Sequence, residues 1–165
     1  MKKQPVSIWI YKAIRYVLGA IFFYSGFIKL LDPQYFTVII EAYGIVPEAT
    51  ILPIAIVLPV LEVLTGIGLL LDIQGALAVT FGLMLLFIGI LSYGIWMGLD
   101  VDCGCFGPED PEAEAFHSLK SSLYRNSVIV LSIFTLYYLR FSRGFKPIPL
   151  NKILLKLKGV LLWNK

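Results

Sequence analysis

Four uninterrupted apolar runs, at about 10 to 31, 51 to 71, 75 to 98 and 120 to 140, constrain this chain more than anything else in it. Each matches the roughly 20 residues that an α-helix needs to cross the hydrocarbon core of a bilayer. The runs are continuous rather than alternating and far longer than the roughly 9 to 11 residues of a barrel strand, so a β-barrel is excluded. Composition agrees: 58% of residues are hydrophobic, 15% are charged and the mean hydropathy is +0.82, whereas about a quarter of the residues of a soluble domain carry charge. A net charge of +3, with no Lys/Arg-rich block interleaved with aromatics, gives no footprint for nucleic acid. The first run is too long for the apolar region of a secretory leader and lacks a small-residue cleavage site, so it reads as retained. The expected fold is all-α: an integral membrane four-helix bundle over residues 1–141, followed by a basic amphipathic helix in a tail at 142–165 that lies on the bilayer surface.

Orientation follows from Lys and Arg near the helix ends. Lys2, Lys3, Lys12 and Arg15 precede or open the first run, and Arg140, Arg143, Lys146, Lys152, Lys156, Lys158 and Lys165 close or follow the last. Both termini are therefore expected on the cytoplasmic side. The first connection holds Asp32, Glu41 and Glu48, and the third holds Asp100, Asp102, Glu109, Asp110, Glu112 and Glu114 against Lys120, which places both outside. Asp72-Ile73-Gln74-Gly75 then forms a tight inner turn that makes the second and third spans an antiparallel hairpin. Within the first outer connection, Asp32 as N-cap and Pro33 at the first helical position predict a short interfacial helix over Pro33 to Tyr43. Asp110 before Pro111, with Glu112 and Glu114 following, predicts that the last helix starts outside the bilayer.

A charge at the centre of a spanning helix costs about 2.5 to 3.5 kcal/mol on insertion scales, so each one present needs a reason. Lys29, Glu62, Arg125 and Asn126 are the polar residues that need one. Ala55, Pro59, Glu62 and Gly66 recur at spacings of four, three and four, which puts Glu62 on a face turned inward, and Ser25 and Lys29 share a face of the first helix. These positions predict a buried cluster of Lys29, Glu62 and Arg125 beneath the outer loop, either holding the bundle together or taking part in proton or quinone chemistry. The other reading has Lys29 and Arg125 snorkelling to the headgroups. Gly75, Ala78, Gly82 and Gly89 predict a small-residue seam on the third span along which a neighbour packs closely.

The two cysteines of the chain, Cys103 and Cys105, fall in the outer loop Asp102-Cys103-Gly104-Cys105-Phe106-Gly107. Disulfides form and persist on that side of the membrane. Gly104 and Gly107 give the backbone freedom to turn sharply enough for the pair to bond, and so small and strained a ring favours exchange over stapling. Asp100 and Asp102 disfavour a thiolate there, which suits a disulfide awaiting a partner's thiol. Two other readings stand beside exchange: metal ligation by Cys103, Cys105 and His117, which lacks a fourth ligand and the usual spacing, and unreactive thiols.

In order along the chain, Ser25-Gly26-Phe27-Ile28-Lys29-Leu30 with Asp32-Pro33, Ala42-Tyr43-Gly44-Ile45-Val46-Pro47, Leu58-Pro59-Val60-Leu61-Glu62 with Gly66, Cys103-Gly104-Cys105-Phe106-Gly107 and Arg125-Asn126 resemble the MauE/DoxX-like family of small four-helix membrane proteins. The resemblance covers about 20 to 130. It implies a redox-associated protein of the bacterial inner membrane that serves disulfide maturation together with a thioredoxin-like extracytoplasmic partner or client. On that footing Cys103 and Cys105 carry the exchange, and Lys29, Glu62, Arg125 and Asn126 are family-like polar positions where a cofactor could bind. With no second cysteine pair, electrons would leave through a quinone or a second protein. The alternative function is a non-catalytic membrane anchor or assembly subunit of a partner complex.

Overall fold

The computed structural model describes residues 6–99 and 119–149. They form the helices α1 (Val6–Leu31), α2 (Pro33–Tyr43), α3 (Glu48–Leu70), α4 (Ala76–Met97) and α5 (Leu119–Arg143). Among the described residues there is no strand, only an isolated bridge between Ile73 and Ile148. The tail at 150–165, on which most of the expected basic helix falls, lies outside the described residues, as does the expected start of the last helix near Asp110.

Three helices, α1, α3 and α4, are long and apolar enough to cross a membrane. Their apolar residues do not all turn inward. Trp9, Val17, Phe27, Leu52, Leu64 and Leu85 all stand on exposed faces, which in water would be a large aggregating surface and in a bilayer is simply the lipid contact.

The short α2 has the bounds that its sequence signals predict. The Asp32 carboxylate accepts a hydrogen bond from the Tyr35 amide at 3.0 Å, Pro33 occupies the first turn, and Gly44 closes the helix in the left-handed conformation at φ 61°. α2 then folds back onto α3 and α4 through Phe36, Ile39 and Tyr43, which join Ala55, Leu91 and Leu119 in one apolar cluster. Leu99 and Leu123 pack against the same cluster. The chain therefore departs at Leu99 and resumes at Leu119 at the α2 end of the helices.

The closest approach in the fold is between α1 and α3. A Cβ added at Gly26 would lie 2.6 Å from the Pro59 carbonyl oxygen, and one at Gly66 would lie 2.6 Å from the Phe23 amide nitrogen and 2.8 Å from the Gly19 carbonyl oxygen. No side chain fits there, so backbone packs on backbone, the contact that small residues make possible between membrane helices. The expected seam on α4 is not used this way. Gly82 and Gly89 meet nothing within 4 Å of a built Cβ, and with Ala78 they face outward. The buried face of α4 is instead Leu77, Thr80, Leu83, Met84, Leu91 and Gly94. In a helix that is apolar all round, small-residue spacing alone does not say which face is covered.

Candidate functional site

On α1, the residues Ser25, Gly26 and Lys29 act together on one partner, Glu62 of α3. Gly26 removes the obstacle: its missing Cβ would lie 2.8 Å from Glu62 Cβ. With α3 that close, Lys29 one turn further along reaches the carboxylate, donating from Nζ to Oε1 at 2.7 Å and to Oε2 at 3.0 Å. Ser25 Oγ donates to Oε2 at 3.4 Å. Glu62 is 1% exposed and Lys29 5%. Lys29 therefore does not snorkel; it is held inside, with the rings of Phe36 and Phe87 at 5.2 and 5.1 Å from its ammonium nitrogen.

Lys29 lines two cavities, and Glu62 lines the smaller of them. A small one of about 30 Å³ is lined by Ser25, Lys29, Glu62, Arg125 and Asn126 together with apolar neighbours, room enough for one water molecule. The structure thus brings the four polar positions singled out in the sequence around one point, Lys29 and Glu62 in direct contact and Arg125 and Asn126 on the shared wall. Asn126 is 4% exposed, and its Nδ2 has no hydrogen-bond partner among the described residues. A larger cavity of about 550 Å³ opens between α2, α3 and α4. Its walls are aliphatic and aromatic, and among the described residues Lys29 is the one charged residue that lines it.

A second polar cluster, at the opposite end of the helices, was not anticipated from the sequence. Asp72, in the turn between α3 and α4, accepts at Oδ1 from Tyr11 Oη at 2.8 Å and from Arg140 Nη2 at 2.7 Å. Arg140 Nε also donates to the Tyr11 hydroxyl at 3.0 Å, and Arg15 Nη1 lies 3.5 Å from Asp72 Oδ2. The turn is further tied to the segment after α5, with Ile148 donating to the Asp72 carbonyl at 2.8 Å and accepting from the Gln74 amide at 2.9 Å. Arg15 and Arg140, which in the sequence stand as charges that set orientation, here pair with Asp72. The signal in the sequence was Tyr11 and Arg15, four apart on one helical face, opposite a lone acidic turn residue.

Cys103, Cys105 and His117 lie outside the described residues, as do Asp100 and Asp102.

Residues 7–139 match the protein-family model described as Methylamine utilisation protein MauE. The chain belongs to the MauE family. Among curated proteins and among solved structures nothing matches it. Family membership together with three helices fit to cross a bilayer makes this MauE-family chain a multi-pass membrane protein. Each of the quoted motifs of the MauE-family chain that falls in α1 and α3 has a structural counterpart: Ser25, Gly26 and Lys29 meet Pro59 and Glu62, and Gly66 meets Gly19.

Proposed function

We propose that this MauE-family chain is the bacterial inner-membrane component of an extracytoplasmic thiol-disulfide exchange pathway, with Cys103 and Cys105 as the exchanging pair. The observation that carries the reading is the Cys103-Gly104-Cys105 sequence within the MauE match over residues 7–139. A partner's thiolate attacks one sulfur of the Cys103–Cys105 disulfide, forming a mixed disulfide and releasing the other sulfur as a thiolate. The partner's second thiolate then attacks its own bridged sulfur, so the partner leaves oxidised and the chain retains two electrons as a dithiol. The partner class is a thioredoxin-like protein or a client with paired thiols.

In the same reading α5 is the fourth span, and α2 lies at the outer surface. The outward face of α5, Tyr124, Val128, Leu131, Phe134, Tyr138 and Phe141, is apolar and exposed. Its Ser127, Ser132 and Thr135 hydroxyls donate to carbonyls four residues back, which satisfies them without water. Its inward face places Ile133 and Leu136 in the core with Leu18, Phe22, Leu77 and Met84. Charge distribution then puts both termini in the cytoplasm and the cysteine loop outside.

The test is capture of the intermediate. In Cys103→Ser or Cys105→Ser, the remaining cysteine should hold a partner as a mixed disulfide visible on non-reducing gels, and extracytoplasmic disulfide maturation should fall. If neither variant captures a protein or alters maturation, the chain is an anchor or assembly subunit and the exchange reading fails.

A further inference from the structure

We infer that the apolar cavity between α2, α3 and α4 is a binding site for an isoprenoid quinone, with the carbonyl head at Lys29 and the tail along the aliphatic wall. The inference rests on the exchange reading for its biological use and on the cavity for its chemistry.

A volume of about 550 Å³ lies within the roughly 300 to 1,000 Å³ of small-molecule and cofactor sites, which combine apolar walls with a few placed polar groups. Here Lys29 supplies the charged group, and Tyr43 also lines the cavity. Lys29 has three N–H donors. Two are taken by the Glu62 carboxylate, which leaves one N–H that Glu62 does not use. A nearly fully buried ammonium with an N–H beyond those given to Glu62, lining an otherwise apolar cavity, selects a ligand that brings an acceptor oxygen.

The charge of that ligand follows from the pair. Glu62 already neutralises Lys29 at 2.7 Å and Arg125 lines the small cavity rather than the larger one, so an anionic head in the larger cavity would add a charge that none of its described lining residues compensates, whereas a neutral carbonyl would not. Phe36 and Phe87 flank the ammonium nitrogen and offer ring contacts to a planar head. Ile54, Val57, Leu61 and Ile90 add aliphatic wall to the same cavity. A planar, neutral, carbonyl-bearing head on a long apolar tail is a quinone, and the bilayer itself delivers it.

Electron bookkeeping favours the same ligand. The sequence holds two cysteines, so a reduced pair has no second disulfide in the chain to pass its electrons to. A quinone closes the cycle: two S–H bonds break and one S–S bond forms, while the two electrons and two protons convert the quinone to a quinol with two new O–H bonds. Lys29, donating to one carbonyl oxygen, would orient the head and stabilise negative charge as it develops there.

The experiment uses the full chain in nanodiscs and decylubiquinone as probe, with binding followed by calorimetry and an azido-quinone crosslinked and mapped by peptide mass. Expected are saturable binding to the native protein, crosslinks on α2, α3 or α4, and about tenfold weaker binding by Lys29→Met. Val57→Trp, which fills the cavity and leaves the ion pair intact, should weaken binding by at least as much, and it covers the case in which Lys29→Met fails to fold. Cys103→Ser/Cys105→Ser should bind the probe like the native chain. Absent binding, binding that does not saturate over the nanodisc's own phospholipid, or binding unaffected by Val57→Trp would overturn the inference, the second meaning that the cavity takes acyl chains. Binding at the cavity without exchange by the cysteines would sink the exchange reading alone; exchange without binding would sink this one.

Discussion

Lys29 Nζ stands 2.7 Å from Glu62 Oε1 across 33 residues of sequence, both side chains almost wholly withdrawn from solvent. Each charge makes the other tolerable inside a membrane helix. Removing one partner leaves the other buried and uncompensated.

Lys29→Met or Glu62→Leu should therefore each destabilise the protein by about 3 to 5 kcal/mol, whereas the double variant should lie within about 1 kcal/mol of the native chain. Unfolding in mixed detergent, read as a double-mutant cycle, checks this. Additive single effects would show that the pair is not coupled.

The glycines of α1 and α3 should be intolerant, and those of α4 should not. Gly66→Leu or Gly26→Leu forces side-chain atoms into backbone already at 2.6 Å from a Cβ, and should cost at least about 1 to 3 kcal/mol by overpacking. Gly82→Ala and Gly89→Ala, in open space, should be neutral or stabilise by up to about 1 kcal/mol through helix propensity. Thermal stability of the four purified variants decides it; equal losses in both groups would mean that the α1–α3 contact is not the tight one.

Asp72→Asn should destabilise by about 2 kcal/mol, because the carboxylate accepts from Tyr11 and Arg140 and pairs in charge with Arg15, and hydrogen bonds to charged groups contribute about 1.5 to 3 kcal/mol. Asn also tolerates the positive φ of 56° at this position, so backbone strain is not the cause of the loss. A cycle with Arg140→Gln should show coupling, and strict additivity would remove the cluster from the account of stability.

Topology is testable by thiol labelling. After mild reduction of intact spheroplasts, Cys103 and Cys105 should react with a membrane-impermeant maleimide. Gln74→Cys, in a background lacking both native cysteines, should react only after the membrane is opened. Labelling in the opposite pattern would invert the orientation.

Much of the fold was legible because the forces that set it are local or steeply one-sided. Apolar runs of bilayer length must be helices, since backbone groups in lipid have no other partners. The limits of α2 followed from Asp32, Pro33 and Gly44, whose effects act within one turn. Glu62 and Lys29 stood out because an unpaired charge in those runs is too costly to persist.

What the sequence by itself determined, then, was the helices, the short capped α2, and which polar residues within the apolar runs needed a reason. The tertiary structure alone decided that Lys29 takes Glu62, with Arg125 and Asn126 on the wall beside them. It alone decided that α1 rather than α4 supplies the close seam, that Asp72 gathers Tyr11, Arg15 and Arg140, and that an apolar cavity opens beside Lys29. The physical reason is common to all four. Hydrophobicity and caps are properties of a segment, whereas pairing, close approach and empty volume depend on which faces of different helices meet, and in helices apolar all round the pattern does not mark those faces.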